Sequence, residues 1–220
     1  MRFQWVCWLM RLPNSVAFLI AFASLALASC GTVSGGRGGF RAVSDTPVKI
    51  GKPYTVKGVT YAPQAVAQYD ATGYASWYGK EQSGNPTANG ERFRPSGVSA
   101  AHKTLPLPSY LEVTALDTGR TILVRVNDRG PFVGTRIIDL SQGAAEQLGV
   151  VRKGVAAVHV RLVDPPESDK AKLRAGKPAV PRPPVPAAEL VALRTRLAQE
   201  SAVSASKGFA DSRIVANERP

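Results

Sequence analysis

The sequence predicts a small all-β domain that closes on itself as a barrel. Short β-type runs recur between turn residues through the middle of the chain, one amphipathic helix interrupts them, and the flanking segments lack the apolar content of a second core. With 220 residues, of which the first 29 resemble an export signal and the last fifty or so are poor in core-forming residues, there is room for one modest domain.

The elements follow in order. Residues 1–29 carry Arg2 and Arg11, then an apolar stretch from Val16 to Leu27, then small residues, as a secretory signal does. Leu27-Ala28-Ser29-Cys30 is similar to a bacterial lipobox, which makes Cys30 the lipidation site and the first mature residue. Each buried methylene of an acyl chain contributes ~0.8 kcal/mol, so several chains hold a soluble domain at a membrane firmly. Gly31 is not the Asp that retains such proteins at the inner membrane, so the expected location is a periplasm-facing anchor in the outer membrane. Cys7 is the other of the two cysteines and leaves with the signal, so no disulfide is expected.

Residues 30–47, with Gly35-Gly36-Arg37-Gly38-Gly39, read as a flexible tether. Residues 48–72 turn to Val, Tyr and Lys around prolines, an extended N-terminal arm lying on the domain. The domain itself is 73–163. Its β-runs are Tyr74 to Tyr78, Leu111 to Leu116, Thr121 to Asn127, Ile137 to Leu140 and Val155 to Val163. The second and third form a hairpin across Asp117-Thr118-Gly119-Arg120. In the last, Val158, Val160 and Leu162 alternate with His159 and Arg161, so His159 is read as an exposed strand residue. One short helix fits between Ser141, a capping residue, and Gly149, a terminator, with Ala144, Ala145 and Leu148 inward. Residues 164–220 are a Pro/Ala-rich, mostly disordered tail: five prolines fall in the nine residues 178–186, and Leu190, Leu193 and Leu197 mark at most a marginal helix.

The formal charge of +12 and pI near 10.1 attract polyanions, but no block stands out as a nucleic-acid arm. Anionic lipid head groups and cell-wall carboxylates are the polyanions an exported protein meets. Paired-cysteine zinc motifs, phosphate loops and nucleophile elbows are missing from the sequence, so no metal or organic cofactor is implied.

Five strings carry the chemistry: Ala75-Ser76-Trp77-Tyr78-Gly79, then Thr87-Ala88-Asn89-Gly90-Glu91, then Ala100-Ala101-His102-Lys103-Thr104-Leu105-Pro106, then Val126-Asn127-Asp128-Arg129-Gly130-Pro131-Phe132, then Ile138-Asp139-Leu140-Ser141. In this order they resemble the double-psi β-barrel domain of the rare lipoprotein A family over about ninety residues. The resemblance implies a six-stranded double-psi β-barrel with a sugar-binding groove, similar to expansins. It implies an endolytic lytic transglycosylase that cuts the bond between N-acetylmuramic acid and N-acetylglucosamine, releases a 1,6-anhydro end and prefers peptide-free glycan. Many members carry a sporulation-related repeat domain, for which this tail is too short.

Cleaving a glycosidic bond needs an acid for the leaving oxygen. A lytic transglycosylase uses the sugar's own C6 hydroxyl as nucleophile, so one well-placed acid/base group suffices. Glu91, His102 and Asp139 are the expected catalytic group; Glu91 and His102 match the groove Glu and His of the family, and Asp139 the acidic position shared with expansin-like barrels. Trp77, Tyr78, Asn89, Asp128 and Arg129 are the expected substrate-binding residues, although Asn-Asp-Arg-Gly-Pro also reads as a structural turn with its salt bridge. Of Trp77 and Tyr78, one faces out and is free to stack on a sugar. Lys103 and Arg136 either meet substrate carboxylates or are solvated surface. Active relatives often have Asp where this chain has Arg94, a reversed charge expected to pair with Glu91 and lower its pKa.

The expected partners are peptidoglycan glycan strands, the membrane through the lipid anchor, and divisome or envelope proteins. Two other functions fit the residues: a non-catalytic, expansin-like wall-binding lipoprotein, and a structural lipoprotein whose tail recruits divisome partners.

Overall fold

The computed structural model describes residues 42–217, with side chains to 203. The export signal, Cys30 and the tether as far as residue 41 lie outside the described residues.

A two-stranded hairpin comes first, β1 (Tyr54–Val56) and β2 (Val59–Tyr61). Its two-residue turn, Lys57-Gly58, has φ of 50° and 79°, as a mirror-image hairpin turn requires. The barrel strands follow: β3 (Asp70–Tyr78), β4 (Ser99–His102), β5 (Ser109–Ala115), β6 (Thr121–Asp128), β7 (Arg136–Ser141) and β8 (Ala156–Leu162). They close in the order β3-β7-β4-β6-β5-β8. Two neighbouring pairs, β3/β7 and β4/β6, run parallel and the rest antiparallel. This is the six-stranded barrel the resemblance implied.

Closure leaves no sheet edge for another chain to pair with. Leu111, Val113, Val124, Val126, Ile138, Leu140, Val158 and Val160 fill the interior, each 0% exposed. Truncating one such leucine to alanine costs about 2–5 kcal/mol.

Between β7 and β8 sits α1 (Gln142–Leu148). Ser141 Oγ accepts the Ala144 amide at 3.3 Å, and Gly149 ends the helix at φ 83°. Gly143 permits a close approach: a Cβ there would lie 2.4 Å from the Ser96 carbonyl oxygen. Ala144, Ala145 and Leu148 are buried as expected.

Three expectations are corrected. The first barrel strand begins at Asp70, inside the stretch assigned to the arm, because Asp70, Ala71 and Thr72 continue the pairing with β8. β4 was not read as a strand: Ser-Ala-Ala-His has neither alternation nor β-branched residues, and it is held by strands on both sides.

The third correction is the tail, which is not mostly disordered. It forms α2 (Glu167–Arg174) and α3 (Ala187–Asn217), so the described residues hold three α-helices rather than one. Leu173 joins the barrel core, and Leu190 and Leu193 pack on Leu116. The proline stretch between the helices lies on the barrel, with the Val185 amide donating to the Gly119 carbonyl at 2.9 Å. Arginines fasten the rest. Arg182 pairs with Asp169 and Glu112, both at 3.1 Å, and Arg196 pairs with Asp70 at 2.6 Å. Judged alone the last helix is marginal; docking onto the barrel supplies what local propensity does not.

Candidate functional site

Strand register brings the chemistry together. Ser76 of β3 pairs with Asp139 of β7, Asp139 with Ala101 of β4, and Ala101 with Asp128 of β6. One row therefore crosses four adjacent strands, with the small Ala101 between two carboxylates. Neighbouring strands lie about 4.8 Å apart, so the two backbones are roughly 10 Å apart.

Asp128 and Asp139 line one groove of about 380 Å³. Tyr78, Pro86, Phe93, Arg129, Pro131 and Phe132 also line it. The volume is at the small end for a ligand pocket.

The carboxylates differ in their surroundings. Asp128 Oδ1 accepts the backbone amides of Ala88 and Arg129, both at 2.8 Å, and Oδ2 accepts no hydrogen bond among the described residues. Burial raises the Asp128 pKa, and those two amides with the Arg129 charge only partly offset it. Asp139 is 18% exposed at the side chain. Its Oδ1 accepts the Ser76 hydroxyl at 2.6 Å and lies 3.5 Å from Arg136 Nε. Arg136 also donates to Ser76 Oγ at 2.5 Å, so Ser76 and Arg136 together fix Asp139.

Glu91 lies elsewhere. It is 1% exposed, and both oxygens are taken. Arg125 grips them at 2.7 and 2.8 Å, and Asn127 and Asn89 each donate at 2.9 Å. Burial alone would raise the Glu91 pKa; the Arg125, Asn127 and Asn89 contacts outweigh it and hold it below the usual range. The adjoining cavity has about 30 Å³, room for a water molecule and not for a sugar. The expected grouping of Glu91 with Asp139 in one groove is therefore not found, and Asn89 serves Glu91 rather than substrate. Arg125, missed in the sequence, had a signal: a lone charge inside Ile122-Leu123-Val124-Arg125-Val126 needs a buried partner. Arg94 does not pair with Glu91; its guanidinium donates to the Arg174 carbonyl at 3.4 Å.

His102 is also outside the groove, 4% exposed. Its Nδ1 accepts the Thr104 and Leu105 amides at 3.2 and 3.1 Å, and its ring meets Tyr69 edge-on at 4.8 Å. Burial, with the charges of Arg129 and Lys103, pulls its pKa down to about 3. The ring stays neutral at ordinary pH and anchors a turn.

Arg129 spends its guanidinium on the carbonyls of Leu105, Ile50 and His102, at 2.5, 2.8 and 3.4 Å. Arg129 also lines the groove. Trp77 donates to the Val151 carbonyl at 3.2 Å and packs against the core. Tyr78 does line the groove, but its ring is stacked on Phe93 with centroids 4.6 Å apart, so that face is not open to a sugar.

A family profile described as "Lytic transglycolase" matches residues 70–160, from the start of β3 into β8. The barrel is similar to lytic-transglycolase domains. Proteins named endolytic peptidoglycan transglycosylase RlpA resemble the chain over part of their length. The Pseudomonas aeruginosa protein is 55% identical over 114 residues, 51% of this chain and 33% of that one. The Neisseria meningitidis protein is 48% identical over 118 residues, 53% and 49%. The Rickettsia felis protein is 46% identical over 125 residues, 56% and 54%. The chain thus spans from a third to about half the length of these rare lipoprotein A relatives. Among solved structures, a Streptomyces papain inhibitor is 26% identical over 44% of this chain and 96% of its own, with a TM-score of 0.35. An expansin from Clavibacter michiganensis is 23% identical over 44% and 52%, with a TM-score of 0.36. The matched lytic-transglycolase profile covers neither the β1–β2 hairpin nor the helices α2 and α3.

Proposed function

We propose that the chain is an endolytic peptidoglycan lytic transglycosylase, cutting between N-acetylmuramic acid and N-acetylglucosamine to leave a 1,6-anhydro end, with preference for peptide-free strands. The observation that carries this is the pair of carboxylates, Asp128 and Asp139, flanking Ala101 on the floor of one groove.

Asp128 is the acid/base. Burial favours its protonated form, so it delivers a proton to the glycosidic oxygen as that bond breaks. The C6 hydroxyl of the same muramyl unit attacks the anomeric carbon, and Asp128, now ionised, takes the hydroxyl proton. One residue closes the cycle and no water is consumed. Asp139, held by Ser76 and Arg136, faces the positive charge that develops at the anomeric carbon. Glu91, through Arg125 and Asn127, positions the strand end that carries Asp128.

Cys30 lipidation and an outer-membrane, periplasm-facing location complete the reading. The lipobox-like sequence at residues 27–30 supports them. Anchored there, the groove meets glycan strands, and the tail meets divisome or envelope partners. Cys30→Ala should move the protein from the membrane to the soluble fraction.

The test is digestion of intact and amidase-stripped sacculi, with 1,6-anhydro products read by mass spectrometry. Product from the wild type, and none from Asp128→Asn or Asp139→Asn, supports the enzyme. Tight sedimentation with sacculi and no product from the wild type overturns it in favour of a non-catalytic wall-binding protein.

A further inference from the structure

The groove is too short for a polymer. Its roughly 380 Å³ seats only the units that react, so a glycan strand must leave over the rim. On one rim stands Phe132, four residues beyond Asp128. Its ring lies 5.5 Å from Tyr61 and 6.0 Å from Tyr54, which stack on each other at 5.4 Å. Tyr54 and Tyr61 are directly paired across the β1–β2 hairpin.

Little else explains this hairpin. It belongs to no larger sheet, and a lone two-stranded ribbon is barely stable in water. Val59 is 53% exposed, so the hairpin buries little for the core. What fixes it are contacts at the groove: the Tyr54 hydroxyl donates to the Lys103 carbonyl at 2.6 Å, and Arg129, next to Asp128, reaches back to Ile50 at 2.8 Å. The Tyr54 hydroxyl also feels the charges of Arg129 and Asp128. Tyr54 is thus tied to the turn after β4, and the segment just before the hairpin to Arg129, beside the groove carboxylate.

We propose that Phe132, with the Tyr54–Tyr61 pair behind it, is a sugar-stacking platform that grips the glycan strand beyond the reacting units. A pyranose presents an apolar face of axial C–H groups, and the electron-rich face of an aromatic ring attracts it. Aromatic rings bury much area with few rotatable bonds, so a fixed cluster loses little entropy on binding. The hairpin is then the part of the substrate site that lies outside the barrel domain. It sets how long a strand must be to bind well, while the carboxylates set how fast it is cut.

This inference rests on the proposed glycan-cleaving activity, and its test separates the two. The full chain and its Tyr61→Ala and Phe132→Ala variants are assayed on amidase-stripped glycan strands graded by length. Both variants should raise KM on long strands about three- to tenfold; Tyr61→Ala, whose side chain is not part of the groove lining, should also leave kcat near wild type and match wild type on the shortest strand cleaved. Tyr61→Trp should restore the long-strand KM. Wild type that yields no 1,6-anhydro product overturns the proposed function itself. Wild type that cleaves, with variants of unchanged KM at every length, overturns the platform alone. So does a loss of kcat in Tyr61→Ala equal on short and long strands, which marks the cluster as a mere support for Asp128.

Discussion

Two acidic regions of the barrel, around Glu91 and around Asp128, behave in opposite ways. Around Glu91 every lone pair that matters is taken: Arg125, Asn127 and Asn89 surround a carboxylate that is 1% exposed. Around Asp128 one oxygen is pinned by two backbone amides and the other has no partner among the described residues, while the groove opens beside it. Burial is common to both, and the sign of the pKa shift differs. Desolvation makes an acid only where hydrogen bonds do not overcompensate it; where they do, it makes a structural anion.

The sharpest way to break this contrast is to remove each charge while keeping its shape. Asp128→Asn should lower kcat on stripped glycan by about 10²–10⁴-fold with little change in thermal stability. Glu91→Gln should do the reverse in kind. It leaves Arg125 short of a buried partner and costs about 3 kcal/mol in urea unfolding. If Glu91→Gln melts like wild type yet is inactive, Glu91 is chemical after all.

The pH dependence separates them further. With Asp128 as a proton donor, kcat should fall as pH rises through its raised pKa. His102 acts on stability instead. Its folded pKa is depressed to about 3, so the unfolded chain binds a proton first as pH falls. Stability from this group is fully present above about pH 6.5 and is lost between there and about pH 3. The slope approaches 1.4 kcal/mol per pH unit. Urea titrations at pH 7, 6 and 5 should show it, and His102→Gln should flatten it. Glu91 and Asp45, whose pKa values are lowered, add their losses only at lower pH.

The smallest effect is expected at the tail. Leu190→Ala with Leu193→Ala should free the start of α3, raising amide exchange over residues 187–200 while the barrel strands keep their protection. Uniform loss of protection would mean that the tail and barrel fold as one unit.

These regions also differ in how far the sequence exposed them. The long barrel strands were legible because Val158 and Val160 alternate with His159 and Arg161, and α1 because Ser141 and Gly149 bracket it. β4 was not, since Ser99–His102 is a strand only by virtue of its neighbours. The tail was misjudged because Leu190 and Leu193 have no visible partner until Leu116 is folded beneath them. At the site, motif resemblance identified Glu91, His102, Asp128 and Asp139 as the notable side chains, but not which of them share a groove. That depends on the β4/β6 and β4/β7 registers, which pair Ala101 with both aspartates.

The most direct measurement is a crystal structure of the Asp139→Asn variant with a peptide-free glycan fragment bound. The account predicts a glycosidic oxygen within about 2.6–3.2 Å of Asp128, with the strand running past Phe132. A sugar ring seated against Glu91, with Arg125 displaced from it, would contradict the account.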